Sequence, residues 1–112
     1  MARNRFAQLD TVKLELSDGD WIEVKRELTY GDQLALQWGS RKPGETESML
    51  YLDMKEFYVN RILIWVTAWS LQDDKGPVEL SADAVRALRD TDAAELNKVL
   101  IEYIEAQEAS KN

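Results

Sequence analysis

The chain has 112 residues, enough for one domain and too few to divide comfortably between two independent cores. Its 45% apolar and 9% aromatic content can bury a real core, while 14 basic against 21 acidic residues leave a net charge of −7, which weighs against a nucleic-acid binder. Cysteine and histidine are both absent, which excludes disulfides, thiol chemistry, the common zinc sites and every mechanism built on an imidazole base.

Residues 1–10 read as a flexible arm, with Phe6 and Leu9 as its candidate anchors. The basic start, Met1 to Arg5, is followed by no apolar stretch before Asp10 and Lys13, so no secretory signal is readable and the cytoplasm is the expected compartment. Val12, Leu14 and Leu16 then alternate with Lys13 and Glu15, the period of a half-buried strand. Ser17–Asp20 is a turn cluster and Trp21–Lys25 a second strand, so 11–26 is expected as a β-hairpin that must pack on helices to be stable.

Thr29 is followed three residues later by Asp32, a hydroxyl–carboxylate spacing that starts a helix, expected over 29–39 with Leu34, Leu36 and Trp38 on it. Arg41–Glu47 carries one of the two prolines and reads as a loop. The spacing then predicts a central helix over 48–71. Met54, Tyr58, Ile62, Trp65 and Trp69 form one stripe on it, and Leu52, Val59, Leu63 and Val66 a second. Its run Ile62–Leu71 is apolar nearly all round but only about half the ~20 residues a membrane span requires, so it is expected as a buried helix segment. Asp73–Pro77 ends it. Ser81 caps a short helix over 82–89, with Val85 and Leu88 inward, and Thr91 caps a C-terminal helix over 92–108. There Leu96, Val99, Leu100, Tyr103 and Ile104 keep the i, i+3, i+4, i+7, i+8 rule. The expected fold class is α+β, mainly α: an N-terminal β-hairpin packed on a small bundle of about four helices, in a single domain.

No constellation supplies both a base and an activated group, so no catalytic residue, cofactor or metal is expected and the chain reads as non-enzymatic. Asp18-Gly19-Asp20 lacks the alternating oxygen ligands and the distal bidentate Glu of a calcium loop, and reads as a solvated hairpin turn. Asp53 and Glu56 are the one acid pair on the central helix; with Lys55 and Arg61 nearby they read as a charged face. Trp65 and Trp69, with Tyr58 on the same side, form either an exposed stacking stripe or core, and helical spacing inside an apolar run favours core. Residues 62–112 hold five basic and ten acidic residues. That acidic excess suits a basic partner, a mimic of a phosphate backbone, or simply a solvated helical surface.

The stretch Ile64–Leu71 (IWVTAWSL), then Asp73–Ser81 (DDKGPVELS), a short helix ending Leu88-Arg89-Asp90, and an amphipathic helix resembles the tail assembly chaperones of long-tailed bacteriophages. Lys25–Asp32 (KRELTYGD), after a hairpin and before a helix, is similar to their first half, and the resemblance covers about residues 12–106. It rests on loose structural motifs: Trp-Ser-Leu, Gly-Pro and Leu-Ser. It implies a non-enzymatic protein of the host-cell cytoplasm, not expected in the mature virion. Such a protein coats the helical tape measure protein until tail tube subunits polymerise round it. The family is often made in two lengths by a ribosomal slip, and the Lys111-Asn112 end is compatible with a slippery codon pair. Implied partners are therefore the tape measure protein and the tail tube protein, with a homo-oligomer or a longer frameshifted copy as further possibilities.

A chaperone for an extended apolar helix needs an apolar face of its own. The candidate partner-binding residues are Tyr30 and Trp38 near the loop, and Ile101, Tyr103 and Ile104 on the last helix. Ile101 falls roughly 140° from Leu96 at ~100° per residue, off the buried stripe. Two other classes of function compete with a chaperone: a structural virion component such as a connector or tail-completion protein, and an acidic inhibitor that mimics nucleic acid.

Overall fold

Strand alternation builds the expected hairpin, and a third strand joins it from the middle of the chain. The computed structural model describes residues 2–38 and 54–110. Strands β1 (Thr11–Glu15) and β2 (Trp21–Lys25) pair antiparallel, with Val12 opposite Val24 and Leu14 opposite Ile22. This register puts the apolar residues of both strands on one face, where Ile22 and Val24 are fully buried. Between the strands, Ser17–Gly19 makes a single 3-10 turn with Asp18 at φ 58° and Gly19 at φ 82°. A short polar side chain and a glycine are the residues that tolerate this left-handed backbone.

Helix α1 (Tyr30–Trp38) starts where the hydroxyl–carboxylate spacing placed it. The Asp32 N–H donates to Thr29 Oγ1 at 3.0 Å and the Thr29 N–H donates to Asp32 Oδ2 at 3.0 Å, a reciprocal capping box. Helix α2 (Met54–Trp65) follows. The Arg41–Glu47 loop and residues 48–53 of the expected central helix lie outside the described residues, as does Asp53 of the acid pair.

The central helix does not run to residue 71. It ends at Trp65, and Val66–Trp69 is strand β3, paired antiparallel with the free side of β2 through Ile22–Trp69, Glu23–Ala68 and Val24–Val66. A run that is apolar all round satisfies a buried strand as well as a buried helix, and β-branched Val66 and Thr67 favour the strand. Thr67 is the extra residue of a β-bulge against β2, with its hydroxyl donating to the Glu23 carbonyl at 3.3 Å. The third strand gives the hairpin the partner it needs, in sheet order β1-β2-β3.

Asp73–Pro77, expected as a plain break, forms a small ribbon of β4 (Gln72–Asp73) and β5 (Gly76–Pro77). Helix α3 (Ala82–Arg86) is capped as read, with Ser81 Oγ accepting from the Ala84 N–H at 3.1 Å, but it stops short of residue 89. Helix α4 (Asp90–Ser110) begins before Thr91, which lies inside the first turn and is not the cap. The Arg89 carbonyl accepts the Ala93 N–H at 2.9 Å, and Asp90 and Asp92 place negative charge at the positive end of the helix dipole.

The fold is α+β and mainly α, with four helices among the described residues. Its core joins β2 (Ile22, Val24), the α2–β3 junction (Ile62, Trp65, Val66), Val85 and α4 (Leu96, Leu100). Trp65 is 7% exposed, so the stripe reading as core holds for it; Trp69 is half-buried and Tyr58 45% exposed. Phe6 and Leu9 do not anchor the arm, at 84% and 81% exposed. It is held at Asp10, whose carbonyl accepts the Arg26 N–H and whose carboxylate pairs with the Arg26 guanidinium at 2.6 Å. No helix among the described residues is long and apolar enough to cross a membrane.

Candidate partner-binding groove

Three connections set the walls of an open groove beside α4. The Asn60 side-chain amide donates to the Ala35 carbonyl at 3.1 Å, tying α2 to α1. Lys25 pairs with Asp32 at 2.9 Å, holding the end of β2 to the first turn of α1. Tyr103 donates its hydroxyl to the Arg26 carbonyl at 2.9 Å, bringing the C-terminal half of α4 to the same corner. The space enclosed is about 310 Å³, with apolar lining from Leu28, Leu36, Trp65 and Ile104. Arg26, Glu27, Arg61 and Glu108 are among its polar lining residues, so the groove is amphipathic with both signs of charge at hand.

Of the five residues expected to bind a partner, Ile104 lines this groove. Tyr103 stands beside it, edge-on to Trp65 with ring centroids 6.2 Å apart and receiving the Gln107 amide at 2.9 Å. Burial raises its phenol above the ordinary value, against the Gln107 hydrogen bond that favours ionisation. Tyr30 is 80% exposed at the start of α1 and Ile101 is half-buried on α4; neither lines the groove. The Trp38 side chain lies outside what is described.

Leu28, Leu36, Trp65 and Arg61 complete the groove, and none of them was expected as a binding residue. Arg61 carried a readable signal, because it is the one base between Lys55 and Lys75 in an otherwise apolar stretch. Its guanidinium lies 5.1 Å from the Tyr58 ring centroid and 5.6 Å from that of Phe57, and donates to Asn97 Oδ1 at 3.3 Å. Its Nε is buried without a hydrogen-bond partner among the described residues, and burial lowers its pKa from the ordinary guanidinium value. Glu56 of the acid pair forms a two-pronged bond to Arg86, at 2.8 and 3.0 Å, which is the charged-face reading of that residue. Among the described residues no group of three or more acidic side chains is placed to hold a metal ion.

Compared with known proteins, the chain matches no family model, no curated protein and no solved structure.

Proposed function

We propose that this protein is a non-enzymatic assembly chaperone of the phage-tail type, which holds a helical segment of a tape measure protein until tail tube subunits assemble round it. The observation that carries the reading is the groove between α1, α2 and α4, whose apolar lining of Leu28, Leu36, Trp65 and Ile104 is flanked by charges of both signs. An amphipathic helix seats its i, i+3, i+4 and i+7 side chains in such a groove, and the charges at its edge meet the helix's polar flanks. The likeness of Ile64–Leu71 and Asp73–Ser81 to those chaperones supports the same reading, as does the excess of acid over base in a chain that must stay soluble around an apolar cargo. Such a protein works in the host cytoplasm and is left out of the finished particle.

Co-expression with a tape measure protein, sought as a very long helical protein encoded immediately downstream, followed by pull-down, tests the proposal. The wild-type chain co-purifies with that protein and is missing from purified particles. Ile104→Asp and Leu36→Asp reduce capture at least tenfold, a loss of about 1.4 kcal/mol or more, while helical circular dichroism is retained. Ile101→Asp reports whether the contact continues along α4. A chain that stays in purified particles, or capture indifferent to all three substitutions, overturns the reading.

A further inference from the structure

Phe6 and Leu9 are the most exposed large apolar side chains among the described residues, at 84% and 81%. They sit on an arm that carries Arg3 and Arg5 and no acid before Asp10. Its base is firmly placed. The Arg26 N–H donates to the Asp10 carbonyl, which extends the β1–β2 ladder one step past Thr11–Lys25. The arm therefore leaves the sheet along β1, away from the Ser17–Asp20 turn. A basic segment that presents two apolar side chains to solvent suits a receptor that is both apolar and acidic.

A matching receptor lies near the other end of β1. A cavity of about 620 Å³ opens between the β4–β5 ribbon and the α3–α4 junction, with Trp69, Leu71 and Leu88 among its apolar lining and Asp73, Asp74 and Asp92 as its acids. None of the three carboxylates is ion-paired among the described residues, and Arg89 is the sole base lining the cavity. Leu71, Leu88 and Asp92 also line a smaller cavity that reaches Leu16 and Ser17, just past the end of β1. Arm and receptor are thus separated by the length of that strand, about 17 Å at ~3.3 Å per residue.

We propose that Arg3, Arg5, Phe6 and Leu9 of one copy dock in the cavity lined by Trp69, Leu71, Leu88, Asp73, Asp74 and Asp92 of a second copy, joining copies head to tail. The apolar side chains leave water against Trp69 and the two leucines, and the guanidinium groups meet carboxylates that carry no ion pair among the described residues, Asp73 accepting only the Lys75 N–H at 2.8 Å. Donor and receptor are different surfaces of the same chain, so the contact is heterologous and each added copy presents a fresh receptor. This proposal stands apart from the cargo groove beside α4, which shares no lining residue with the cavity named here.

Sedimentation velocity on the full chain over a concentration series, with two complementary variants, tests it. The wild type grows in mean mass with concentration, and high salt shifts that growth to at least tenfold higher concentration. Phe6→Ser with Leu9→Ser removes the arm's apolar contacts but leaves the receptor; Asp74→Arg with Asp92→Arg spoils the receptor but leaves the arm. Each double variant alone is a monomer, and a mixture of the two forms a dimer that grows no further, because one intact arm meets one intact receptor. A wild type that stays monomeric throughout, as it would if the arm folded onto its own chain, overturns the proposal. So does growth that survives in either variant alone, or a mixture that remains monomeric.

Discussion

Glu95 on α4 accepts two hydrogen bonds from Ser17, with Oε2 taking the backbone N–H at 2.8 Å and Oε1 the hydroxyl at 2.9 Å. The pair spans 78 residues and fastens the β1–β2 turn to the C-terminal helix. One carboxylate thus satisfies a turn donor that no strand or helix ladder reaches. Glu95→Ala is expected to lower the free energy of unfolding by about 1–2 kcal/mol, the range for a partly solvated, charge-assisted contact. Ser17→Ala keeps the backbone half of the bond and costs about half as much. Urea denaturation of the two variants separates these cases, and equal midpoints for Glu95→Ala and wild type would show that the link adds nothing to stability.

Asp32 does for α1 what Glu95 does for the turn, and its stabilisation depends on pH. Burial alone would raise its carboxyl, but the Thr29 N–H and the Lys25 ammonium outweigh that and hold it below the ordinary aspartate value. A carboxyl depressed in the folded state contributes stability above its unfolded value and loses it as the pH falls through the folded one. Asp32→Ala is therefore expected to cost about 1–2 kcal/mol at neutral pH, from the lost cap and the lost ion pair. The gap from wild type should narrow as the solution is taken below about pH 4. A gap that stays constant from neutral pH down to acid would show that the loss is one of packing, independent of the carboxylate's charge.

The parts of the fold that could be read in advance are those whose signal is local. Thr29 and Asp32 make their capping box within four residues, Ser81 reaches only to Ala84, and the β1–β2 alternation pairs strands next to each other in sequence. The Val66–Trp69 strand is a different kind of fact. Trp65 and Trp69 are four apart, which imitates one face of a helix, and the apolar run offers no polar face to break the tie. Its strand identity comes from the free side of β2, some forty residues away, a non-local partner that periodicity does not see. The groove divides the same way. Ile104 was legible as an apolar residue at the end of a stripe, but Leu28 and Leu36 meet it only after Asn60 and Tyr103 have fixed α1 against α2 and α4. Thr91 failed as a cap because the Arg89 carbonyl already receives Ala93, so the helix begins before the hydroxyl arrives.

Arg61 carries a charge that the fold partly rewards and partly penalises. Its guanidinium gains from the faces of Tyr58 and Phe57 and a long bond to Asn97, while its Nε is buried with no acceptor among the described residues. A cation over an aromatic face contributes roughly 0.5–2 kcal/mol, and an unsatisfied buried donor costs about 1–3 kcal/mol, so the two nearly cancel. Arg61→Met keeps the long aliphatic packing and removes both terms; its free energy of unfolding is expected to stay within about 1 kcal/mol of wild type. Arg61→Ala gives up the packing as well and should fall by about 1–3 kcal/mol. The same pair of variants probes the groove. If a cargo helix is held by Leu28, Leu36, Trp65 and Ile104, with Arg26, Glu27 and Glu108 meeting its polar flanks and Arg61 engaged by Tyr58 and Phe57, Arg61→Met binds it as tightly as wild type. Calorimetric titration showing at least tenfold weaker binding by a stably folded Arg61→Met would instead place a carboxylate of the cargo on this guanidinium.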